Sequence, residues 1–219
     1  MANTDHIRAH NGWLQTAFLS LRKDQREIAL LATVDVAPED YFKRIADHIK
    51  RREKRGFAIV YDYAPATDPH KTLTGHLAKH GLVHLKESIP LEDYWISSAA
   101  EPDAADAKTD ASDATLGGDH LADIDALAAS LTSGEIPHPL HDLSQASSAE
   151  ASNAKTLEVI KQQSENYHVY GFLGANRLGA VVDGLVRDGF ALKDTQWMDV
   201  MSVGKTRIKT PGTIDRRRR

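Results

Sequence analysis

Between Glu27 and Tyr63 the chain runs from an apolar stretch through a helix signature into a second apolar stretch, and no other feature restricts its fold as much. The run from Glu27 to Val34 (EIALLATV) is too continuously apolar for a half-exposed strand and predicts one buried on both faces. In the following Asp35-Val36-Ala37-Pro38-Glu39-Asp40, the fixed φ of Pro38 suits the first helical position and the two acids suit the positive end of the helix dipole. Tyr41, Phe42, Ile45, Ala46 and Ile49 then recur at helical spacing, and the last turns carry Lys50, Arg51, Arg52, Lys54 and Arg55 before Gly56. Phe57 to Tyr63 (FAIVYDY) reads as another strand. Strand, helix and strand at these lengths form a βαβ unit with parallel strands. The expected fold class is therefore α/β, a central mostly parallel or mixed sheet with flanking helices.

The flanks extend this frame. Trp13 to Leu21 (WLQTAFLSL) predicts a strand, turned into the next by the polar run Arg22 to Arg26. Past Pro65, Thr67 to His80 reads as a short helix stopped by Gly81, followed by the small apolar run Leu82 to Leu85. His120 to Leu131 and Ala154 to Gln163 read as helices, the second with Leu157 and Ile160 facing inward. Tyr167 to Leu173 (YHVYGFL) is a strand, Gly174 to Gly179 a turn, Ala180 to Asp188 a helix stopped by Gly189, and Thr195 to Val203 a last strand. Both halves thus place a loop between the carboxyl end of a strand and a helix start, the edge at which open α/β sheets bind ligands.

Charge divides the chain of 219 residues more sharply than its net value of −4 conveys. Ser98 to Gly117 holds five acids against one lysine, with Leu116 as its only large apolar residue. Such a stretch buries too little apolar surface to offset the entropy of ordering and reads as a flexible acidic insertion. One domain is expected: an N-terminal βαβ half over 1–97, the insertion over 98–117, a C-terminal helical and βαβ half over 118–204, and a basic tail over 205–219. The tail sets seven Lys and Arg against Asp215. Without a recognition-helix pattern or interleaved aromatics it argues for a solvated terminus and against a nucleic-acid partner. No apolar run approaches the roughly 18 residues of a bilayer span, and no secretory signal is visible, so a soluble cytoplasmic protein without a membrane partner is expected. The absence of cysteine excludes disulfides, thiolate metal sites and a thiol nucleophile.

Four segments in order resemble the TraB/GumN/PrgY family, whose relatives include Tiki-type metalloproteases and, more remotely, ChaN and erythromycin-esterase-like folds. The family's Gly-Thr-x-His turn into a helix is matched by Ala32-Thr33-Val34-Asp35 leading to Pro38. Its strand ending in an acid after Tyr is matched by Ile59-Val60-Tyr61-Asp62. Its Leu-Gly-Leu-Val-x-Gln-Leu-x-x-Ile-x-Tyr segment is matched by His80-Gly81-Leu82-Val83-His84-Leu85-Lys86-Glu87-Ser88-Ile89 with Tyr94 displaced, and its Gly-Ala-Gly-His-Leu-Pro-Gly helix opening by Gly174-Ala175-Asn176-Arg177-Leu178-Gly179-Ala180. The resemblance implies a pocket lined by Thr33, Tyr61, Gly174, Asn176 and Arg177.

The departures bear on function. Both motif histidines are replaced, by Asp35 and by Arg177. An imidazole offers a lone pair to a metal, whereas a guanidinium is a fixed cation with none to give. The resemblance therefore implies a TraB/GumN-like protein without metal or other cofactor, leaning away from enzymatic activity and acting by binding or regulation on a small molecule or peptide. Asp35, Asp62 and Arg177 remain as candidates, either as an internal ion-pair cluster or, alternatively, as a divergent hydrolase or peptidase in which the two Asp hold a divalent ion. No Gly-x-Ser-x-Gly nucleophile signal is present. His76, His80 and His84 are spaced by four, but Gly81 interrupts any helix carrying them, so capping or solvated roles are expected. The Gly174 to Gly179 turn offers amides to an anion, yet it fits no phosphate-loop pattern and reads as a packing turn.

Overall fold

The computed structural model of the chain describes residues 6–63, 75, 77–99 and 146–202. Strands β1 (Ile7–His10), β2 (Trp13–Lys23) and β3 (Arg26–Thr33) form two consecutive antiparallel hairpins. The first closes through Asn11-Gly12, both at positive φ (52° and 79°), the residue pair that a two-residue hairpin matching strand twist demands. The chain continues through β4 (Val36–Ala37), α1 (Glu39–Glu53) and β5 (Ala58–Tyr61) to β6 (Val83–His84), α2 (Leu85–Ser88) and β7 (Ile96–Ser97). It resumes with α3 (Ala146–Ser164), β8 (Val169–Gly174), α4 (Ala175–Arg187) and β9 (Ala191–Ser202).

Seven strands form one mixed sheet, and β4 pairs with β6 in a separate two-stranded ribbon. The α/β class is as expected. The two strands of the βαβ unit are parallel but not neighbours, because β8 lies between them, pairing Ile28 to Val169 on one side and Ala58 to Val169 on the other. β9 runs antiparallel along the opposite edge of β2. Successive side chains of the central strands divide between two cores. Ala29, Leu31, Ile59, Tyr61, Tyr170 and Phe172 meet Tyr41, Phe42, Ile45 and Ile49 of α1. Leu30, Ala32, Val60, Val169 and Leu173 meet Ile160 of α3 and Leu178, Val181 and Leu185 of α4. With helices on both faces, the parallel strands read as unbroken apolar runs.

Several boundaries differ from expectation. The Gly174 to Gly179 segment is not a turn: Gly174 is the N-cap and the helix starts at Ala175, since nothing between Ala175 and Ala180 forbids helical backbone and Leu178 is needed in the core. α3 begins well before Ala154, and β9 begins at Ala191 rather than Thr195, because β2 offers it a partner edge as far as Arg22. The expected acidic insertion does not start at Ser98, which is fully buried and bonded through its amide to the Tyr61 carbonyl at 2.7 Å. The helix expected over His120 to Leu131, residues 100–117 and the tail lie outside the described residues, as does most of the Thr67 to His80 helix, of which Leu77 to Lys79 are helical before Gly81 at φ +68°. Among the described residues no helix is long and apolar enough to cross a membrane.

Candidate functional site

Inserting β8 between β3 and β5 brings three chain segments together at the carboxyl edge of the parallel strands. Thr33 ends β3 in register with Gly174, which ends β8. Asp62 follows β5, on the face covered by α3 and α4, and Arg177 sits in the first turn of α4. A Cβ on Gly174 would come 2.9 Å from Oδ1 of the exposed Asn176 side chain, which can turn aside, and within ordinary contact, 3.7 Å, of Asp62 Oδ2.

Asp62 Oδ2 accepts the Gly174 N–H at 2.9 Å and lies 3.2 Å from Arg177 NH1. The Asp62 side chain is 5% exposed and that of Arg177 15%. The same guanidinium donates from NH1 to the Asp62 carbonyl at 3.1 Å, from Nε to Asn153 Oδ1 at 3.0 Å and from NH2 to Thr156 Oγ1 at 2.7 Å. Thr156, fully buried on α3, stands 3.1 Å from Ser98 Oγ and 3.0 Å from the Ser152 carbonyl, one of which takes its proton. Ser98 in turn donates to the Tyr61 carbonyl at 2.9 Å. All three guanidinium nitrogens are thereby engaged by the protein itself.

Burial dominates the electrostatics. It pushes the Asp62 carboxyl up to about 6, against the opposing pull of Arg177 and the Gly174 amide, with Asp35 adding repulsion. Arg177 therefore limits the cost of burying Asp62 without cancelling it.

The expected site residues fare differently. Asp62, Gly174 and Arg177 form one constellation. Asp35 is exposed and reaches it only as a distant charge. The Tyr61 ring belongs to the core, stacked on Phe172 with centroids 6.0 Å apart, and only its carbonyl joins the polar network. Thr33 is buried, its hydroxyl unpaired among the described residues, and alternation along β3 turns it toward α1. Asn176 is exposed beside the helix start. His84 caps α2, its Nδ1 accepting the Lys86 N–H at 3.1 Å.

Asn153, Thr156 and Ser98 were not legible as site residues. Asn153 and Thr156 are three apart and so share a face of α3, but nothing in the sequence says which charge that face meets. Among the described residues no group of three or more His, Asp and Glu side chains is placed to hold a metal ion. Comparison with protein-family models, with curated proteins and with solved structures returns no match.

Proposed function

We propose that this is a TraB/GumN-like protein that works by binding or regulation, its partner a small molecule or peptide, and that the family's metal chemistry has been replaced at the strand edge by an internal ion pair. One observation carries the reading: Arg177 spends its guanidinium on Asp62, Asn153 and Thr156. A group that is to clamp a substrate carboxylate keeps donors free for it, and a divalent ion would face a fixed cation about one hydrogen bond from the carboxylate meant to hold it.

The test is elemental analysis of the purified full-length chain, together with thermal unfolding in added Mn²⁺, Zn²⁺, Fe²⁺ and Co²⁺. No stoichiometric metal and no saturating rise in Tm are expected. A saturating rise abolished by Asp35→Ala would overturn the reading in favour of a metal-dependent hydrolase using Asp35 and Asp62.

A further inference from the structure

On the opposite face of the sheet from Asp62 and Arg177, α1 and β9 border a groove of about 530 Å³, within the size range of small-molecule sites. One wall is α1, where Arg44, His48 and Arg51 stand four and then three residues apart and so share a face, with Asp47 next to His48. The other wall is β9 from Gln196 to Asp199, with Phe18 and Trp13 of β2 completing the lining.

Its charges are unevenly committed. Arg44 gives NH2 to the Asp199 carbonyl at 2.6 Å, which anchors its stem and leaves its remaining donors. The Asp199 carboxylate is held by Gln15 Nε2 at 2.6 Å. Arg51 is exposed and has no hydrogen-bond or ion-pair partner among the described residues. His48 packs edge-on to Phe18, centroids 5.8 Å apart, and burial, then the Arg51 and Arg52 charges, hold its imidazole below the usual range despite Asp47. Trp13, at 42% exposure, leaves much of a large indole open where it lines the groove.

We propose that this groove binds a nucleoside phosphate, with Arg44 and Arg51 taking the phosphate and Trp13 the base. Guanidinium forks match phosphate oxygens in geometry and charge. An exposed aromatic face beside cations is the pairing that holds a base next to its phosphate. The site shares no residue with the Asp62–Arg177 cluster and stands independently of the function proposed for it.

Calorimetric titration of the full-length chain with adenosine 5′-monophosphate tests this, alongside inorganic phosphate, adenosine and a single-stranded decathymidylate. Saturable binding of the monophosphate, with quenching of tryptophan fluorescence, is expected. Arg51→Ala and Arg44→Ala should each weaken it by about tenfold, roughly one charge-assisted contact. Trp13→Ala should weaken the monophosphate but leave phosphate binding unchanged, and Asp62→Asn should change neither. Tighter binding of the oligonucleotide, still dependent on Trp13 and Arg51, would identify a strand as the natural source of the same unit. No saturable binding of either nucleotide probe, binding indifferent to both Arg variants in folded protein, or phosphate bound as tightly as the nucleotide would each overturn the assignment.

Discussion

Asp62 sets the cost at the strand edge. Its carboxyl sits at about 6 in the folded chain against an ordinary 3.8, so between those values the native state holds more protons than the unfolded one. Stability from this group therefore falls as pH rises through that window, by about 3 kcal/mol in all at 1.36 kcal/mol per pH unit. The amide introduced by Asp62→Asn would not titrate. Denaturant unfolding of the wild type and of Asp62→Asn, from pH 4 to 7, should show the wild type losing ground to the variant across the window. A constant difference would contradict the assignment of burial as the dominant cause. The same residue shows what sequence reveals and what it hides. An acid closing an apolar strand was visible as a candidate, but its choice of Arg177 over the exposed Asp35 as neighbour depends on β8 being inserted, which no local pattern announces.

At the scale of elements, β8 is the keystone of the sheet, and its fit leaves no spare volume. A Cβ on Gly171 would stand 2.8 Å from Leu30 Cδ2, and Leu30 is fully buried. Gly171→Ala should therefore destabilise the protein by about 1–3 kcal/mol despite the usual advantage of alanine over glycine in a strand, the range for overpacking a filled core. Chemical denaturation would register this as a lower midpoint at an unchanged slope; an unchanged midpoint would mean that the layers are looser than described. α1 was legible nearly throughout because its apolar period, its acids and its terminal basic residues agree, although Pro38, expected as its first helical residue, is its N-cap. The opening of α4 was not, since glycines at 174 and 179 read as a turn until the packing of Leu178 is known. β1 carried a readable signal in Asn11-Gly12, but its alternation, Ile7-Arg8-Ala9-His10, runs for only four residues and so stands out little from the polar sequence around it.

Over the whole molecule, two cores lie on either side of one sheet, and each borders a different kind of surface. The α3–α4 side closes on itself through Arg177, while the α1 side leaves Arg51 and Trp13 open to solvent. Fold class was readable because strand and helix periods are local properties. Strand order, and with it the site, was not, since it is decided by which faces must be covered once all elements are present. Ser98 shows the difference: acidic, alanine-rich sequence follows it, yet its own hydroxyl and amide belong to the edge of the sheet.

The claim that the strand edge is an internal ion pair is tested most directly by a double-mutant cycle at pH 7 with Arg177→Leu, Asp62→Asn and their combination. Arg177→Leu removes the cation that opposes the burial of a carboxyl 5% exposed, so Asp62 takes up a proton, and with the guanidinium's hydrogen bonds to Asn153 and Thr156 also lost the variant should cost about 2 kcal/mol. The double variant, with no carboxyl left to protonate, should recover part of that loss, giving a coupling of at least about 1 kcal/mol. Losses that add to within about 0.5 kcal/mol would mean that Arg177 and Asp62 are energetically independent and that the site is not closed by their pairing.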